Sequence, residues 1–161
     1  TNGTKTDGCT RKYVMKIRRA GILDISAIAA LLLEMHSGTD IPTSKINSEK
    51  MISKISEAIH KGVCFISLND KNVIEGSIGG LVASDWWSEE KHLGDLWFYV
   101  TPEARKSNAA FELVREFKKV GQKVNIPVRL GHVFSKDLER KDKFFQRLGL
   151  QKAGSVFLEV A

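Results

Sequence analysis

The sequence predicts one α/β (α+β) domain with a mixed central sheet and helices on both of its faces. Strand-like and helix-like segments follow one another in the order β-α-α-β-β-β-α-β-α-β. Three strands in the middle follow one another without a helix, a pattern typical of antiparallel pairing, whereas the later strands are separated by helices, as in crossover connections. A length of 161 residues suits a single domain.

The first fourteen residues are expected to lie outside this domain. They are polar and include glycine and several threonines, which is typical of a flexible arm or of sequence added ahead of Met15. The domain itself is therefore assigned to residues 15–161.

The domain is predicted to begin with a short strand at 16–19 and two amphipathic helices. Asp24 is a favourable N-cap for the first helix, whose apolar residues recur at helical spacing. Ser48 has the same role for the second helix, and Gly62 ends that helix. Glycine and proline within residues 36–42 separate the two helices.

The middle of the chain predicts three consecutive strands. Residues of the turn-forming type separate the first two, which predicts a hairpin. Within the second of these strands, Gly76, Gly79 and Gly80 predict a bulge or a close approach of another backbone segment. The three predicted strands span residues 63–68, 73–83 and 92–100.

The last third of the chain predicts two helices and the remaining strands. Apolar residues at helical spacing mark both helices, and glycines follow them at positions 121 and 149. The helices are predicted at 108–120 and 137–148, and the strands at 127–133, 151–152 and 156–160.

The turn before the third helix predicts a binding site for a phosphorylated ligand. A strand ends at Val100, and a basic turn follows it before a helix that opens near Asn108. The free N–H groups and the dipole of a helix N-terminus attract anions. Arg105 and Lys106 add positive charge there. Small residues that let a phosphate approach the backbone are Ser107, Ala109 and Ala110.

This turn resembles the cofactor motif of the GNAT acyltransferases, which bind acetyl-CoA. Their motif is a strand ending in Val, then Pro-Glu, then Arg/Gln-x-x-Gly-x-Gly/Ala at the start of a helix. This chain has Val100, then Pro102-Glu103, then Arg105 to Ala110, with Asn108 in place of the middle glycine. Asparagine is the residue other than glycine that best tolerates positive φ.

A second match lies at the end of the last helix. Residues 144–150, Phe-Phe-Gln-Arg-Leu-Gly-Leu, are similar to the family's Phe/Tyr-Tyr-x-x-Leu-Gly-Phe tail. The resemblance covers roughly residues 15–160, and it implies the GNAT-like mixed, mostly antiparallel central sheet. It also implies acetyl-CoA (coenzyme A) as cosubstrate and N-acetyl transfer to an amine as the activity.

The resemblance implies where the cofactor would bind. The splayed end of the fourth strand would offer backbone groups of Phe98, Tyr99 and Val100 to the pantetheine arm, and the alternative is that these are only buried strand residues. Ser135 is the nearest polar residue where many members carry an asparagine, and the alternative for it is a helix N-cap. The cofactor-binding residues are thus Phe98, Val100, Arg105, Lys106, Ser107, Asn108, Ala109, Ala110 and Ser135.

The resemblance also implies candidate proton-transfer groups. Family members often place a glutamate near the start of the fourth strand, where this chain has Asp95. Strict alternation would put Asp95, Trp97 and Tyr99 on one face, where bulky aromatics would raise the pKa of the carboxyl. A solvated or ion-paired Asp95 is the alternative, and His92 is the second candidate base.

The proton donor is less well defined by the sequence. Many members use a tyrosine in the tail motif, but this chain has Phe145 there. Tyr99 is the substitute candidate, and departure of the thiolate assisted by water is the alternative. The predicted catalytic residues are therefore Asp95 and Tyr99, acting in direct attack of the amine on the thioester, because the chain offers no credible covalent nucleophile.

The acceptor pocket is implied at residues 36–42 and 84–91. Four acidic residues there would attract a cationic amine, namely Asp40, Asp85, Glu89 and Glu90. Trp86 and Trp87 would cover a planar substrate or pack over a cation. Alternatively, the tryptophans cover the sheet edge or form a homodimer contact. The acceptor is expected to be a small-molecule or polypeptide amine.

Composition bounds the remaining alternatives. The net charge of +6 suits an anionic partner, either a cofactor with several phosphates or nucleic acid. Nucleic acid is not favoured because no binding motif is present. No apolar run reaches the length of a membrane span, and the two cysteines, with Cys64 in an apolar strand, favour a reduced, cytoplasmic setting. Rival functions are a degenerate GNAT-fold binding module and a nucleic-acid-modifying protein of that fold.

Overall fold

The structure is a computed structural model that describes residues 15–39, 44–132 and 136–159. Short 3-10 turns precede the first and third helices, at Ile22–Asp24 and Ala104–Lys106. The strands and helices are β1 (Lys16–Arg19), α1 (Ile25–Ser37), α2 (Ser48–Lys61), β2 (Val63–Leu68), β3 (Ile74–Ser84), β4 (Lys91–Val100), α3 (Ala109–Lys123), β5 (Val128–Arg129) and α4 (Leu138–Arg147).

The five strands form one sheet in the order β1-β2-β3-β4-β5. The first three pairings are antiparallel, and only β4 and β5 run parallel. The parallel pair is joined through α3, because a crossover needs a connection of that length. The predicted mixed, mostly antiparallel sheet is therefore confirmed.

Helices cover both faces of the sheet, as the sequence predicts. The α1–α2 face packs Ile28, Leu32 and Ile55 against β2 and against Trp97 of β4. The opposite face packs Leu113, Val114 and Phe117 of α3, together with Phe145 of α4, against β2, β3 and β4. Burying two apolar layers against one sheet gives a two-sided core.

A β-bulge interrupts β4 at Leu96. Gly79 pairs with Trp97 and Gly80 pairs with Asp95, so Leu96 is the extra residue on β4. Leu93 consequently packs on the α3 side, whereas Trp97, four residues later, packs on the α1–α2 side. The extra residue inverts the alternation of side chains. The prediction that Asp95 shares a face with Trp97 and Tyr99 is therefore wrong.

The glycines of β3 permit close packing, as predicted. A Cβ on Gly79 would lie 2.1 Å from Cζ2 of Trp97, and one on Gly80 would lie 2.3 Å from the carbonyl oxygen of Gly94. The Trp97 indole N–H donates to Ser77 Oγ at 2.9 Å, and that hydroxyl donates to the Phe65 carbonyl at 3.0 Å. The indole is thus held directly over Gly79.

Gly79→Ala is expected to lower the free energy of unfolding by about 1–3 kcal/mol, because the new methyl group must displace the Trp97 ring. Guanidinium unfolding monitored by tryptophan fluorescence measures the loss. Gly94→Ala is the matched control, since a Cβ there meets only the His92 ring, with Cδ2 at 3.6 Å. Equal stability of the two variants would show that Trp97 does not pack over Gly79.

Several predicted boundaries are corrected at the helix ends. Asp24 occupies the N-cap position of α1, but its carboxylate instead binds Arg18 at 2.8 and 3.0 Å and the Gly21 amide. Asn47 rather than Ser48 caps α2, by accepting from the Lys50 amide. Helix α3 continues past Gly121 to Lys123.

The predicted end of the sheet is also corrected. Of the strand expected at 127–133, the described residues form only Val128–Arg129. Residues 151–159, which include most of the expected closing segments, form no strand and are exposed. A strand needs a neighbour with free main-chain groups, and β5 offers too few residues to support a ladder.

Candidate functional site

The site is built around the place where β4 and β5 separate. The two strands pair at Leu93–Val128 and at Gly94–Arg129 only, whereas β4 continues to Val100. From Asp95 onward, β4 has no strand neighbour on this side within the described residues. The separation leaves an open strand edge next to the N-terminus of α3.

Hydrogen bonding at both ends of β4 shows which main-chain groups face the gap. The Thr101 amide donates to the Glu75 carbonyl of β3 at 2.9 Å, and the Leu93 amide donates to the Pro127 carbonyl on the β5 side at 2.8 Å. The bulge at Leu96 breaks the alternation between these two ends. Successive residues direct their N–H and C=O groups to opposite sides of a strand, so counting back from Thr101, beyond the bulge, Phe98 and Val100 direct theirs into the gap. Tyr99 directs its own toward β3.

The turn after β4 is held in shape by its own hydrogen bonds. The Thr101 carbonyl accepts from the Ala104 and Arg105 amides at 3.1 and 3.2 Å. Ser107 Oγ donates to the Ala104 carbonyl at 2.6 Å and accepts from the Ala109 amide at 3.2 Å. Ala104 and Ala109 are buried beneath the turn. The small residues predicted here therefore let the turn lie flat against the core.

Four amides at this turn remain free. Within the part of the chain that the structure describes, the N–H groups of Lys106, Asn108, Ala110 and Phe111 have no hydrogen-bond partner. Asn108 has a φ of −84°, so replacing the motif's middle glycine requires no positive φ in this turn. Free amides at a helix N-terminus are the donors that an anion needs.

Arg105 lies along the end of β4. Its Nε donates to the Val100 carbonyl at 3.1 Å, and its guanidinium carbon lies 5.7 Å from the centre of the Tyr99 ring. Lys141 of α4 is close enough for its charge to interact with Arg105: desolvation, and then repulsion by Arg105, lower the pKa of the Lys141 amine. Nothing in the sequence joins Lys141 to this site, because the two cations lie in segments that are distant along the chain.

Other basic residues of α3 are engaged elsewhere. Arg115 pairs with Glu112 at 3.5 Å and Lys119 pairs with Glu116 at 2.8 Å. Lys118 donates to the Leu148 carbonyl at the end of α4. The cations that the sequence clusters around this helix are therefore dispersed, and Arg105 and Lys106 remain at its start.

Asp95 is half-buried where the two strands separate. Its Oδ1 accepts from the Gly131 amide at 3.0 Å, and no cation pairs with it among the described residues. Burial raises the pKa of the Asp95 carboxyl to about 6, although the Gly131 hydrogen bond opposes the rise. A carboxyl with this pKa is ionised at neutral pH and still binds a proton readily, as a general base must.

The other two candidate proton-transfer residues lie apart from Asp95. Tyr99 is on the opposite face of the strand, with its hydroxyl 3.4 Å from Glu34 Oε1 of α1. Desolvation and the Glu34 carboxylate raise the pKa of Tyr99. His92 is in the paired part of β4, opposite Ala83. The structure thus places Tyr99 near the turn after β4, beside Arg105, and His92 at the other end of the strand.

A polar network that follows Gly131, the partner of Asp95, was missed by the sequence analysis. His132 Nε2 lies 2.7 Å from Asp142 Oδ1, and Lys152 Nζ lies 2.8 Å from Asp142 Oδ2. The imidazole stacks on Phe145 at 5.6 Å, so the residue in place of the family's tyrosine packs in an aromatic cluster. No sequence signal joins these residues, because each contact is between residues ten positions apart in the chain.

Among the acidic residues predicted to bind the acceptor, Asp85 is already paired with a cation. Asp85 makes two hydrogen bonds to Arg129, at 2.8 and 2.7 Å, and this contact lowers the pKa of its carboxyl. Glu89 and Glu90 are exposed. Asp40 and the cofactor candidate Ser135 lie outside the described residues.

The two tryptophans of the 84–91 loop do not cover the sheet. Trp86 and Trp87 are 92% and 65% exposed and contact each other edge-to-face at 5.4 Å. Two exposed indoles side by side are unusual on a protein surface. The alternative that they cover the sheet edge is therefore wrong, while roles in substrate or dimer contact stay predictions.

The described residues give little support for a cysteine nucleophile or for a metal site. Cys64 is buried, and burial raises the pKa of its thiol to about 11, so it is a poor nucleophile. No group of three or more His, Cys, Asp or Glu side chains in the described ranges is placed to hold a metal ion. Among the helices described, none has the length and apolar character of a bilayer span.

Comparisons with known proteins find similarity at the level of structure. No family model and no curated protein matches the sequence. The aminoglycoside N-acetyltransferase AAC(6')-Iy, solved with a CoA bisubstrate analogue, has a TM-score of 0.72 at 16% identity, over 92% of this chain and 98% of that one.

Two further structures show the same similarity. A predicted acetyltransferase from Clostridium acetobutylicum, solved with acetyl-CoA, has a TM-score of 0.72 at 15% identity, over 92% of this chain and 96% of that one. Glucosamine-6-phosphate N-acetyltransferase from Arabidopsis thaliana has a TM-score of 0.68 at 14% identity, over 91% and 98%. The likeness extends over nearly the whole of each protein, and the chain therefore has the fold of the GNAT N-acetyltransferases.

Proposed function

We propose that this protein is an acetyl-CoA-dependent N-acetyltransferase. The observation that carries the proposal is the open edge of β4, which leads directly to four free amides at the start of α3. An extended arm that ends in a diphosphate needs both features in this order. Neighbours of the same fold have been solved with acetyl-CoA or a CoA analogue, which supports the proposal.

The turn at the start of α3 would hold the diphosphate. The amides of Lys106, Asn108 and Ala110 would donate to its oxygens, with the side chains of Arg105 and Lys106 adding positive charge. The predicted cofactor residues Ser107 and Ala109 would support this contact by letting the turn pack closely against the core. Lys141 of α4 is a further cation for the same ligand.

The open edge of β4 would hold the pantetheine arm and the thioester. The main-chain groups of Phe98 and Val100 would bond to the amides of the arm, in the manner of an added strand. Arg105 would have to release the Val100 carbonyl if the arm takes that acceptor. A main-chain N–H at this edge would polarise the thioester carbonyl.

Asp95 would act as the base and Tyr99 as the proton donor. The amine nitrogen forms a bond to the acetyl carbon while its proton passes to the Asp95 carboxylate, directly or through water. The carbon–sulfur bond breaks with its electron pair on sulfur, and the Tyr99 hydroxyl supplies the proton. The two groups lie on opposite faces of β4.

Titration calorimetry with acetyl-CoA and with CoA tests the cofactor assignment, and release of free thiol with a panel of amines tests turnover. We expect saturable binding of both cofactors and thiol release that depends on an amine. Mass spectrometry should find the product amine heavier by one acetyl group in place of a proton. Absence of acetyl-CoA binding at near-millimolar ligand would refute the assignment.

A binding module without turnover is the second candidate. It is favoured by Phe145, which carries no hydroxyl, and by the Arg105 side chain on the Val100 carbonyl. Binding of CoA without thiol release for any amine would support it. A nucleic-acid partner is less well supported, because α3 pairs Arg115 and Lys119 with its own glutamates.

A further inference from the structure

A cleft between α1, α2 and the bulge of β4 adjoins a second cleft between the end of α1 and α2. The first has a volume of about 260 Å³ and an apolar lining that includes Leu32, Leu96 and Trp97. The second has a volume of about 290 Å³ and extends from it along the segment that leads into α2. Met51 and Lys54 line both clefts, so one ligand can occupy the two together.

The second cleft is lined by cationic side chains. Lys45, Lys50 and Lys54 all contribute to it, and its described lining contains no carboxylate. Lys54 pairs with Glu57 at 2.8 Å, whereas Lys45 and Lys50 have no ion-pair partner among the described residues. Two unpaired lysines beside a cleft attract an anionic group and repel a cation.

The first cleft extends from these lysines to the opening of β4, on the α1–α2 face of the sheet. Its lining residue Leu96 is the bulged residue at that opening. Asp95 lies on the opposite face of the strand, so proton transfer to it from an amine bound in this cleft would pass through water. Glu34, the carboxylate of α1, contacts the Tyr99 hydroxyl. A ligand in the clefts would therefore place one end at the opening of β4 and the other at the lysines.

We propose that the acceptor is a primary amine that also carries an anionic group, a carboxylate or a phosphate, which Lys45 and Lys50 bind. This inference rests on the proposed function for the transfer step. It replaces the prediction that clustered acidic residues bind the acceptor, because Asp85, one of those acids, is bonded to Arg129. An apolar or neutral middle portion would lie against Leu32, Leu96 and Trp97.

Two matched pairs of amines test the proposal and separate the two anionic groups. Phosphoethanolamine is compared with ethanolamine, and 4-aminobutyrate with butylamine, in thiol release and in titration calorimetry. At least one anionic amine should bind about tenfold more tightly than its neutral partner, as expected for one group between two cations. Whichever pair shows the preference identifies the group.

Lys45→Glu combined with Lys50→Glu should abolish this preference and leave acetyl-CoA binding unchanged. The matched control is Lys71→Glu combined with Lys123→Glu, two exposed lysines that line neither cleft. Equal affinity for anionic and neutral amines, no binding of either anionic amine, or a preference that survives in the Lys45/Lys50 variant would overturn the proposal. Preferential binding without thiol release would keep this inference and refute the transferase function instead.

Discussion

Arg105→Glu is expected to raise the KM for acetyl-CoA about 10- to 100-fold, because charge-assisted hydrogen bonds contribute about 1.5–3 kcal/mol each. The substitution replaces a cation with an anion next to the free amides of Lys106 and Asn108. It also removes the Nε bond to the Val100 carbonyl. Initial-rate kinetics with varied acetyl-CoA, supported by calorimetry, measure the effect.

The matched control for this change is Arg115→Glu. Arg115 is exposed on α3, it pairs only weakly with Glu112 at 3.5 Å, and its substitution changes the net charge equally. We expect this variant to keep the acetyl-CoA KM within about twofold, since an exposed charge far from the ligand is screened. Equal KM values for the two variants would mean that the diphosphate does not bind at the start of α3.

Asp95→Asn is expected to lower kcat at pH 7 by about 10²- to 10⁴-fold, the usual contribution of a general base. The wild-type rate should rise with pH through about 6 as the Asp95 carboxyl ionises. The variant should lose this part of the pH profile, because asparagine does not titrate. A pH profile of the same shape in both proteins would show that Asp95 is not the base.

The same substitution should increase stability at neutral pH. The folded-state pKa of about 6 lies above the ordinary value of 3.8, so the folded protein binds the Asp95 proton more tightly than the unfolded chain does. Stability is therefore lost as pH rises from about 4 to about 6, by at most about 3 kcal/mol. The uncharged amide of the Asp95→Asn variant would avoid this loss, so thermal unfolding at pH 7.5 should occur at a higher temperature in the variant.

Asp85→Asn provides the control of opposite sign. The contact with Arg129 lowers the pKa of Asp85, so its carboxylate favours the folded state above its unfolded pKa. Its replacement should reduce stability slightly at pH 7.5 or leave it unchanged, because exposed ion pairs contribute little. If Asp95→Asn also reduced stability at pH 7.5 and did so equally at pH 4, the raised pKa of Asp95 would be incorrect.

The turn of the proposed anion site could be predicted from the sequence because it is local. The end of β4, the turn and the start of α3 are consecutive, so their residue types determine where amides are free and where charge lies. The same holds for the hairpin of β2 and β3, whose turn residues lie side by side in the chain. The one difference is the φ of Asn108. Asparagine was noted as a residue that tolerates a positive φ, but this turn does not use the left-handed region.

The placement of the proton-transfer residues was predicted less well, because it depends on the register of β4. One extra residue at Leu96 moves Asp95 to the other face of β4 from Trp97, and an alternating pattern of residues contains no mark of that insertion. The environment of Asp95 also comes from Gly131, which follows β5 and is distant in sequence. The ion pair of Arg129 with Asp85, one of the acidic residues expected to bind the acceptor, is equally long-range.

The sequence alone determined the class of fold, the four helices and the first four strands, and the position of the basic turn before α3, because these follow from periodicity and from neighbouring residues. The tertiary structure alone decided which carboxylates are free, which cations remain unpaired and which side chains meet at the opening of β4. Those properties depend on distances between residues far apart in the chain, and only packing of the sheet against its helices sets them.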